Sequence, residues 1–417
     1  MLNKEQKDER SVATKLIREL KLVTKKQKMN LLEDILVIDF SQFLSGPSAA
    51  LRLADMGAQV IKIEKPGTGD ICRQLYVSDV MIEGESTIFH AINRNKQSYT
   101  ADLKDADDLE KVKQLLAKAD VMMHNFRPGV MERIGLDYET VKSINPTIIY
   151  AEVSGYGTDG PWKDLPGQDL LLQAATGLTW LSNNNNESPT PMGVAVVDIM
   201  AGTHIAQGIL AALYRRGVNG EGALVQASMF ESILDFQFEV LTCYYNDGNQ
   251  LPVRSAINSG HAYIAAPYGI YKTKDNYIAL AMTNIVLLAE LLECEPLKKF
   301  AESNDWFDKR DEIKEILAEC LTLNTAAHWL SILEKADIWC APVMDYDKLV
   351  KEEGYRRLEM EITVKTSNGL LVKTTRCPIR VDGKLLVADK GAPVLGEHNE
   401  EIEKQFGLIK KMQPVNK

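Results

Sequence analysis

The chain has 417 residues, of which 45% are hydrophobic and 25% are charged, enough for about two globular domains. Its formal net charge is −10, and no basic block stands out beyond the N-terminal tail, so a nucleic acid is not expected as a partner. An anionic ligand would need local Lys and Arg residues that act against the global charge.

The N-terminal residues 1–30 mix Lys and Arg with Glu and Asp and contain no apolar signal core. They predict a solvated helical extension ahead of the first domain. No later apolar run is expected to reach the roughly 20 residues of a membrane span. The most apolar stretch, residues 191–213, is interrupted by Asp198, Thr203, His204 and Gln207. We therefore expect no membrane partner and a cytoplasmic location.

Six cysteines and six histidines are dispersed along the chain. The cysteines form no CxxC pair, which favours reduced thiols in a cytosolic protein. Without an HExxH motif or a Cys/His cluster, no metal is expected.

A strand–helix–strand pattern covers residues 35–67. The segments ILVIDF and AQVIKIE predict strands, Pro47 suits the first turn of the helix between them, and Gly57 suits its C-terminal cap. Helical spacing at 105–119 and strands at 121–126 and 146–157 continue the pattern. The sequence thus predicts a parallel sheet covered by helices, a Rossmann-type α/β large domain at residues 31–227.

The second half of the chain predicts different elements. A helix runs from Asp198 to Arg216, and residues 266–282 alternate like a hairpin that turns at 274–276. Two or three helices follow at 295–338, and short strands with turns at 364–398. These patterns predict a smaller inserted α+β domain at 255–340 and a C-terminal segment at 345–417 that completes the large domain.

The turn after the first strand is the obvious place for a nucleotide, because helix N-termini attract phosphates. Its sequence, FLSGPSAA, holds only Gly46 and lacks the GxGxxG motif. Although Glu64 could mimic the ribose-binding acid of NAD enzymes, the missing glycines argue against NAD. Walker and GxSxG motifs are also missing from the sequence.

Nine segments in order carry a family resemblance: VIDFSQFLSGP, GAQVIKIEKPGTGD, NRNKQSYTADLK, ADVMMHNFRPGVMERIGLDYE, SGYGTDGPWKDLPGQD, GVAVVDIMAGTH, APYGIYKTKDNYIAL, CAPVMDYDKL and APVLGEHNEE. From about residue 31 to 408 the chain resembles the class III CoA-transferases, the formyl-CoA transferase and carnitine CoA-transferase group. The resemblance implies an interlocked homodimer, with each chain threaded through the ring of its partner. It also implies acyl-CoA and a small carboxylic acid as substrates, with no tightly bound cofactor.

The resemblance places the catalytic nucleophile at Asp198, after the small residues at 193–197. In such enzymes the carboxylate takes the acyl group as an anhydride and then CoA as an aspartyl thioester, shielded from water. The spacing alone favours a helix N-cap, a position where Asp is common, and the family resemblance reverses that preference.

Residues implied to bind CoA are Lys65, Lys104, Asn125, Phe126 and Arg133, with Arg94 and Lys96 as further candidates. CoA carries three phosphoryl groups, so an acidic protein must gather cations locally. Each Lys or Arg by itself is also typical of a solvated surface charge.

Two departures concern the reacting end of the substrates. In the substrate loop Phe43–Leu44, Leu44 stands where formyl-CoA transferase has a Gln, so a polar contact to the oxyanion is lost. The tetraglycine loop of that enzyme is replaced by NSGHAY, with Gly260 beside His261, which either contacts an acid or packs. Both differences argue against oxalate and formate as the natural pair.

A third departure separates two activities on this fold. The related α-methylacyl-CoA racemases use a His with an Asp as a two-base pair, but Gln168 occupies the His position here and cannot move a proton at neutral pH. Transferases commonly have a Tyr there, and a structural role is expected for the adjacent Asp169. A CoA-transferase is the preferred interpretation, with a racemase or a non-catalytic CoA-binding protein as alternatives.

Overall fold

The structure is a computed structural model and describes residues 30–75, 80–82, 84–387 and 389–409. The predicted N-terminal extension lies outside these residues, apart from Asn30.

The strands are β1 (Leu36–Asp39), β2 (Gln59–Glu64), β3 (Met81–Ile82), β4 (Glu85–Ser86), β5 (Gln97–Thr100), β6 (Val121–His124), β7 (Ile149–Ser154), β8 (Ala223–Ser228), β9 (Gly269–Lys272), β10 (Tyr277–Leu280), β11 (Cys340–Pro342), β12 (Glu361–Lys365), β13 (Leu371–Thr375), β14 (Arg380–Val381) and β15 (Lys384–Leu385). The helices are α1 (Ser45–Asp55), α2 (Thr87–Ile92), α3 (Ala106–Leu116), α4 (Val130–Ile134), α5 (Tyr138–Ile144), α6 (Asp169–Ala175), α7 (Leu178–Leu181), α8 (Val196–Asn219), α9 (Met229–Phe236), α10 (Phe238–Asn246), α11 (Ile285–Leu291), α12 (Asp305–Asp308), α13 (Arg310–Leu321), α14 (Ala326–Leu333), α15 (Tyr346–Leu349), α16 (Glu353–Leu358) and α17 (Asn399–Phe406). Short 3-10 turns lie at Ile71–Gln74, Glu295–Lys299 and Glu334–Ala336.

The main sheet has six strands in the order β5-β2-β1-β6-β7-β8. The pairs among β5, β2, β1, β6 and β7 are parallel, and Val37 of β1 lies opposite Val60 on one side and Val121 on the other. Counted along the chain, these strands have the order 3-2-1-4-5-6 of doubly wound nucleotide-binding folds. The predicted parallel α/β architecture is confirmed.

The first strand–helix–strand unit forms as its sequence predicts. Strand β1 is apolar except for Asp39, and all four of its residues are buried. Pro47 lies in the first turn of α1, where its missing N–H costs no helical hydrogen bond. Gly57 follows α1 with a φ of +104°, and a Cβ there would lie 2.7 Å from the Cα of Asn30, so this position requires glycine.

The chain divides into two compact units. Among the described residues, the first holds those up to Glu152, Ile205–Val225 and those from Glu359 onward, and the second holds Val153–His204 and Gln226–Leu358. The domain boundaries expected from the sequence remain a prediction.

Each unit has its own apolar core. In the first, side chains of β1, β2 and β6 pack with α3 and Ile402 of α17. In the second, α11, α13 and α14 pack on an antiparallel sheet of order β11-β10-β9. Strands β9 and β10 form the predicted hairpin, whose turn at 273–276 is closed by the Thr273 N–H donating to Asn276 O at 2.8 Å.

Helix α8 begins two residues before the predicted start at Asp198 and ends three residues after Arg216. This corrects the expectation that no apolar run is long enough to span a membrane. The helix has a mean hydropathy of 1.5, so by length and composition alone it could cross one. Helices α13 and α14, extended to Ala336, pass the same test as a pair bent by 115°. Buried core helices have the same composition, and 44% of the apolar window in α8 is buried inside the protein.

Candidate active site and CoA-binding site

The central strand β1 lies between β2 and β6. After β1 the chain continues to β2 on one side of it, and after β6 it continues to β7 on the opposite side, so the strand order reverses between β1 and β6. In doubly wound folds, ligands bind in the crevice outside the strand ends at this switch point. Here the crevice is bordered by residues 40–44 after β1 and by Asn125 and Phe126 after β6.

Asn125 joins the two loops at this crevice. Its Oδ1 accepts a hydrogen bond from the Gln42 N–H at 2.8 Å, and its Nδ2 donates to the Gln42 carbonyl at 2.7 Å. Nδ2 also lies 3.3 Å from the Ser45 hydroxyl. The carboxamide thus pairs with both polar groups of one peptide residue, a role that the sequence did not suggest.

Exposed cations lie near the same edge of the sheet. Lys65 directly follows β2, Lys104 lies four residues after β5, and Arg133 is on α4, beyond β6; all three are exposed. Phe126 is partly buried against the core of the first unit. The structure therefore places these sequence-predicted residues beyond the carboxyl ends of β2, β5 and β6.

Arg94 and Lys96 are placed differently. Arg94 is buried and pairs with both carboxylate oxygens of Asp55. Lys96 is buried too, and its Nζ lies 3.0 Å from Asp39 Oδ2 and 2.9 Å from Asn93 Oδ1. Their proposed contact with CoA stays a prediction, but both charges already have internal partners.

Glu64, the candidate ribose-binding acid, is also engaged inside the protein. Its two oxygens accept hydrogen bonds from the Arg73 guanidinium, both at 2.7 Å, and Oε1 also accepts one from the Ser98 hydroxyl. Burial alone would raise the pKa of Glu64, but Arg73 and Lys62 hold it below its ordinary value. This acid stabilises the fold and offers no free carboxylate to a ribose.

A buried charge cluster lies under the loop after β1, and the sequence analysis did not identify it. Lys62 Nζ lies 2.8 Å from Asp70 Oδ2 and donates to the Ser41 carbonyl at 2.6 Å. Burial alone would lower the pKa of Lys62, yet Asp39 and Asp70 raise it above its ordinary value. For Asp39, burial works in the opposite direction, and Lys96 and Lys62 keep its pKa below normal. The sequence indicates this cluster only through Asp39 and Lys62, which are charged residues within the apolar strands β1 and β2.

His124, the last residue of β6, supports Phe126. Its Nδ1 accepts a hydrogen bond from the Phe126 N–H at 3.3 Å, and the two rings stack with centroids 6.1 Å apart. Nδ1 must therefore be unprotonated. Burial lowers the pKa of His124 to about 4, which agrees with this neutral role.

His124 predicts an acid-sensitive stability. Between pH 6.5 and about 4 the unfolded chain binds a proton that the folded state does not, so the free energy of unfolding falls as pH falls, by at most about 3 kcal/mol. We expect denaturant titrations across this range to show a shallower pH dependence for His124→Asn, which retains an acceptor for the Phe126 N–H. His328→Asn, at an exposed position, is the matched control. Equal slopes for wild type and His124→Asn would contradict the assignment.

The substrate loop has one exposed and one packed residue. Leu44 is the N-cap of α1, and its side chain packs against the small cluster of Cys72, Phe89 and Ile92. Phe43 has a φ of +61° and a side chain that is 45% exposed. The apolar side chain of Leu44 therefore packs inside the fold, where a polar side chain would lose these contacts.

In the second unit, two glycines cross at van der Waals distance. A Cβ on Gly155 would lie 2.8 Å from the Cα of Gly167, and a Cβ on Gly167 would lie 2.6 Å from the Cα of Gly155. This close approach fixes the start of α6, where Gln168 is the exposed N-cap and Asp169 is the first helical residue.

Asp169 caps a second helix. Its Oδ2 accepts hydrogen bonds from the N–H groups of Val197 at 2.8 Å and Asp198 at 3.2 Å, in the first turn of α8. Asp169 therefore has the structural role that the sequence predicted. Asp198 is the third residue of α8 and does not hold the N-cap position, so the alternative of a simple cap is not supported.

Gln173, which sequence reasoning missed, completes this arrangement. Its Nε2 donates to Asp169 Oδ1 at 2.5 Å, and its Oε1 accepts from the Met192 N–H at 2.9 Å. The side chain is 2% exposed. It ties Asp169 to the segment that leads into α8, so the partly buried Asp198 has a fixed backbone.

Gly260 and His261 lie in a loop of the second unit. A Cβ at position 260 would meet the Tyr268 ring at 2.8 Å, so the glycine allows a close contact. His261 Nδ1 accepts from the Tyr263 N–H at 3.2 Å, and its Nε2 lies 3.9 Å from Glu239. Gln168, Asp198, Gly260 and His261 thus belong to the second unit, and the predicted CoA contacts belong to the first.

The strand order and the switch-point crevice are those of a doubly wound nucleotide-binding α/β fold. A profile of CoA-transferase family III matches residues 32–399, and the chain belongs to this family. It is a class III CoA-transferase, an enzyme that transfers CoA between acids.

Relatives of known activity cover almost the whole chain. The acetyl-CoA:oxalate CoA-transferase of Acetobacter aceti is 33% identical, over 90% of this chain and 95% of its own. The succinyl-CoA:glutarate CoA-transferase of Mus musculus is 30% identical, over 92% and 89%. A crystal structure of a CAIB/BAIF family protein from Brucella suis has a TM-score of 0.79 and 28% identity, over 91% of this chain and all of that one.

Proposed function

We propose that Asp198 is the nucleophile that carries the acyl group and then CoA during transfer. The observation that supports it best is the placement of this carboxylate in the first turn of α8, whose leading N–H groups are held by Asp169. The N-terminal end of a helix dipole favours an ionised carboxylate, which is the reactive form.

The reaction runs through two kinds of covalent intermediate, an acyl anhydride and a CoA thioester of Asp198. The Asp198 carboxylate attacks the thioester carbonyl of the donor, giving a mixed anhydride and the CoA thiolate. The thiolate attacks the aspartyl carbonyl of the anhydride, which forms an aspartyl-CoA thioester and releases the donor acid. The acceptor carboxylate then attacks this thioester, and the thiolate released takes the acceptor acyl group and restores Asp198. No proton transfer is needed in these steps, which suits a site whose Gln168 replaces a histidine base.

CoA would lie along the carboxyl edge of the main sheet. Lys65, Lys104 and Arg133 provide exposed positive charge for its phosphates, and Phe126, held by His124, offers a wall to the adenine. This local charge lets a protein with a net charge of −10 bind a polyanion.

Charge removal tests this CoA site. Lys104→Ala and Arg133→Ala are each expected to weaken CoA binding by about 1–3 kcal/mol, the value of a lost charge-assisted bond, and to reduce the dependence of affinity on salt. Titration calorimetry at two salt concentrations measures both effects. Lys384→Ala, an exposed lysine in the β14–β15 hairpin, is the control. Wild-type affinity in both test variants would remove these residues from the site.

For the acceptor we propose a short dicarboxylic acid. Two relatives that match nearly the whole chain are named for oxalate and for succinyl-CoA with glutarate, and all of these acids carry two carboxyl groups. Leu44 and the Gly260–His261 loop differ from the corresponding residues of formyl-CoA transferase. For this reason we expect oxalate to be a poorer acceptor than the longer dicarboxylic acids.

The function is tested with a panel of acyl-CoAs and free acids. We expect new thioesters, detected by mass, when acetyl-CoA is incubated with glutarate, succinate or malate and when succinyl-CoA is incubated with glutarate or malate, and slower transfer to oxalate or formate. Transfer only to monocarboxylic acids would overturn the acceptor assignment. Binding of CoA without transfer to any acid would favour a non-catalytic CoA-binding protein.

We also propose an interlocked homodimer in the cytoplasm. In a single copy of the chain, the second unit exposes large apolar residues. Among them are Trp162, Leu170, Trp180 and Phe238, which are 47–67% exposed. Exposed apolar side chains of this size can be buried at a subunit interface, and we propose that a second copy of this chain covers them.

A further inference from the structure

The loop at residues 41–43 is fixed by the neighbouring Asp39 and by three side chains from more distant parts of the chain. The Ser41 N–H donates to Asp39 at 2.9 Å, and the Ser41 carbonyl accepts from Lys62 at 2.6 Å. Asn125 pairs with the N–H and the carbonyl of Gln42. The Phe43 N–H donates to Asp70 Oδ1 at 3.3 Å. Five consecutive backbone groups are thus held by four side chains.

The side chains that hold the loop are themselves constrained. Asp39, Lys62 and Asp70 are each no more than 1% exposed. Lys62 pairs with Asp70 at 2.8 Å, while the other oxygen of Asp70 also accepts from the Cys72 N–H at 2.9 Å. Buried charges are stable only while they stay paired. Because these groups also bond the loop backbone, a movement of the loop would break their pairing.

Helix α1 fixes the loop from its other side. A Cβ on Gly46 would lie 2.3 Å from the Cβ of Ser41. The first turn of the helix therefore presses against the loop with no space for another side chain.

This rigid support holds one residue in an unfavourable conformation. Phe43 has a φ of +61°, which bulky L residues rarely adopt. The residue is 45% exposed, so part of its surface stays open to a ligand. Strain of this kind persists where the surroundings enforce it, and it is typical of ligand-binding loops. A purely structural turn would favour Gly or Asn here.

We propose that Asp70 and Asn125, supported by Lys62, are positioning residues that hold Phe43 so that its ring forms a fixed wall of the CoA-binding crevice. The proposal rests on the proposed function, because it needs CoA to occupy the switch point of the sheet. Asn125 then acts on CoA through the Gln42–Phe43 loop, whereas the family resemblance implied a direct contact.

The first test changes the ring and the strain. Phe43→Ala and Phe43→Gly are expected to raise the dissociation constant for free CoA about tenfold or more in calorimetry. Because the ring is exposed, both are expected to keep a cooperative thermal unfolding transition close to that of wild type. Asp382→Gly is the matched control, since Asp382 is exposed, has a φ of +50° and lies in a hairpin turn of the same unit. Wild-type CoA affinity in both Phe43 variants would overturn the proposal.

The second test uses coupling, which a merely structural role would not produce. Asn125→Ala is expected to raise the dissociation constant about tenfold in the wild-type background and less than twofold when combined with Phe43→Ala. Asp70→Asn, which retains an acceptor oxygen, is expected to show the same dependence on Phe43. Full additivity in both double variants would mean that these residues act without Phe43, contrary to the proposal.

Failure of this inference and failure of the proposed function give different results. If wild-type protein does not bind free CoA, the proposed CoA site is wrong. If wild-type protein binds CoA and the Phe43 variants bind it equally well, the CoA site remains and only the positioning role is overturned.

Discussion

Asp198→Asn is expected to reduce CoA transfer by about 10⁴-fold or more, because an amide cannot form the anhydride or carry the thioester. Binding of free CoA is expected to be unchanged. The free energy of unfolding should change by about 1 kcal/mol or less, because Asp198 is only partly buried and Asn is close to Asp in size. Steady-state transfer assays, calorimetry and denaturant titration measure the three quantities.

A matched carboxylate separates the reaction from general effects of charge. Asp235 in α9 is 68% exposed and lies 3.2 Å from His204 of α8. Asp235→Asn removes the same charge and is expected to keep transfer within about twofold of wild type. Substantial transfer by Asp198→Asn would contradict the mechanism.

No folded monomer is expected on dilution to nanomolar concentration. If each chain passes through its partner, the two chains cannot separate without partial unfolding, so dissociation and unfolding become one event. Mass photometry at nanomolar concentration should show only a dimer, and the midpoint of denaturant unfolding should rise with protein concentration. A folded monomer peak under these conditions would contradict the interlocked dimer.

Local sequence signals predicted the scaffold well where the physics is local. The apolar strand ILVIDF, Pro47 in the first helical turn and Gly57 after the helix specified β1, α1 and β2. The hairpin with its turn at 273–276 followed from alternation and turn residues. The start of helix α8 was predicted too late because Val196 and Val197 are β-branched and weak helix formers, while Asp169 supplies the cap from 28 positions away.

The site was predicted only in part, because its geometry depends on contacts between distant residues. Asn125 and Gln42 are separated by 83 positions, and no local pattern shows that one carboxamide pairs with one peptide residue. Likewise, Lys62 and Asp70 are charges that the sequence allowed to be solvated, but the fold buries them together. Arg94 and Lys96 were candidate ligands on motif position alone, and their buried partners Asp55 and Asp39 become visible only in three dimensions.

The central claim is that Asp198 becomes covalently modified during turnover, and mass analysis of trapped enzyme tests it most directly. Wild-type protein incubated with acetyl-CoA or succinyl-CoA and quenched with sodium borohydride should carry the mass change of an aspartyl group reduced to an alcohol. With hydroxylamine it should carry that of a hydroxamate. Both changes should map to Asp198 and be missing from Asp198→Asn. Unmodified Asp198 under conditions where transfer proceeds, or the same modification at another carboxylate, would contradict the account.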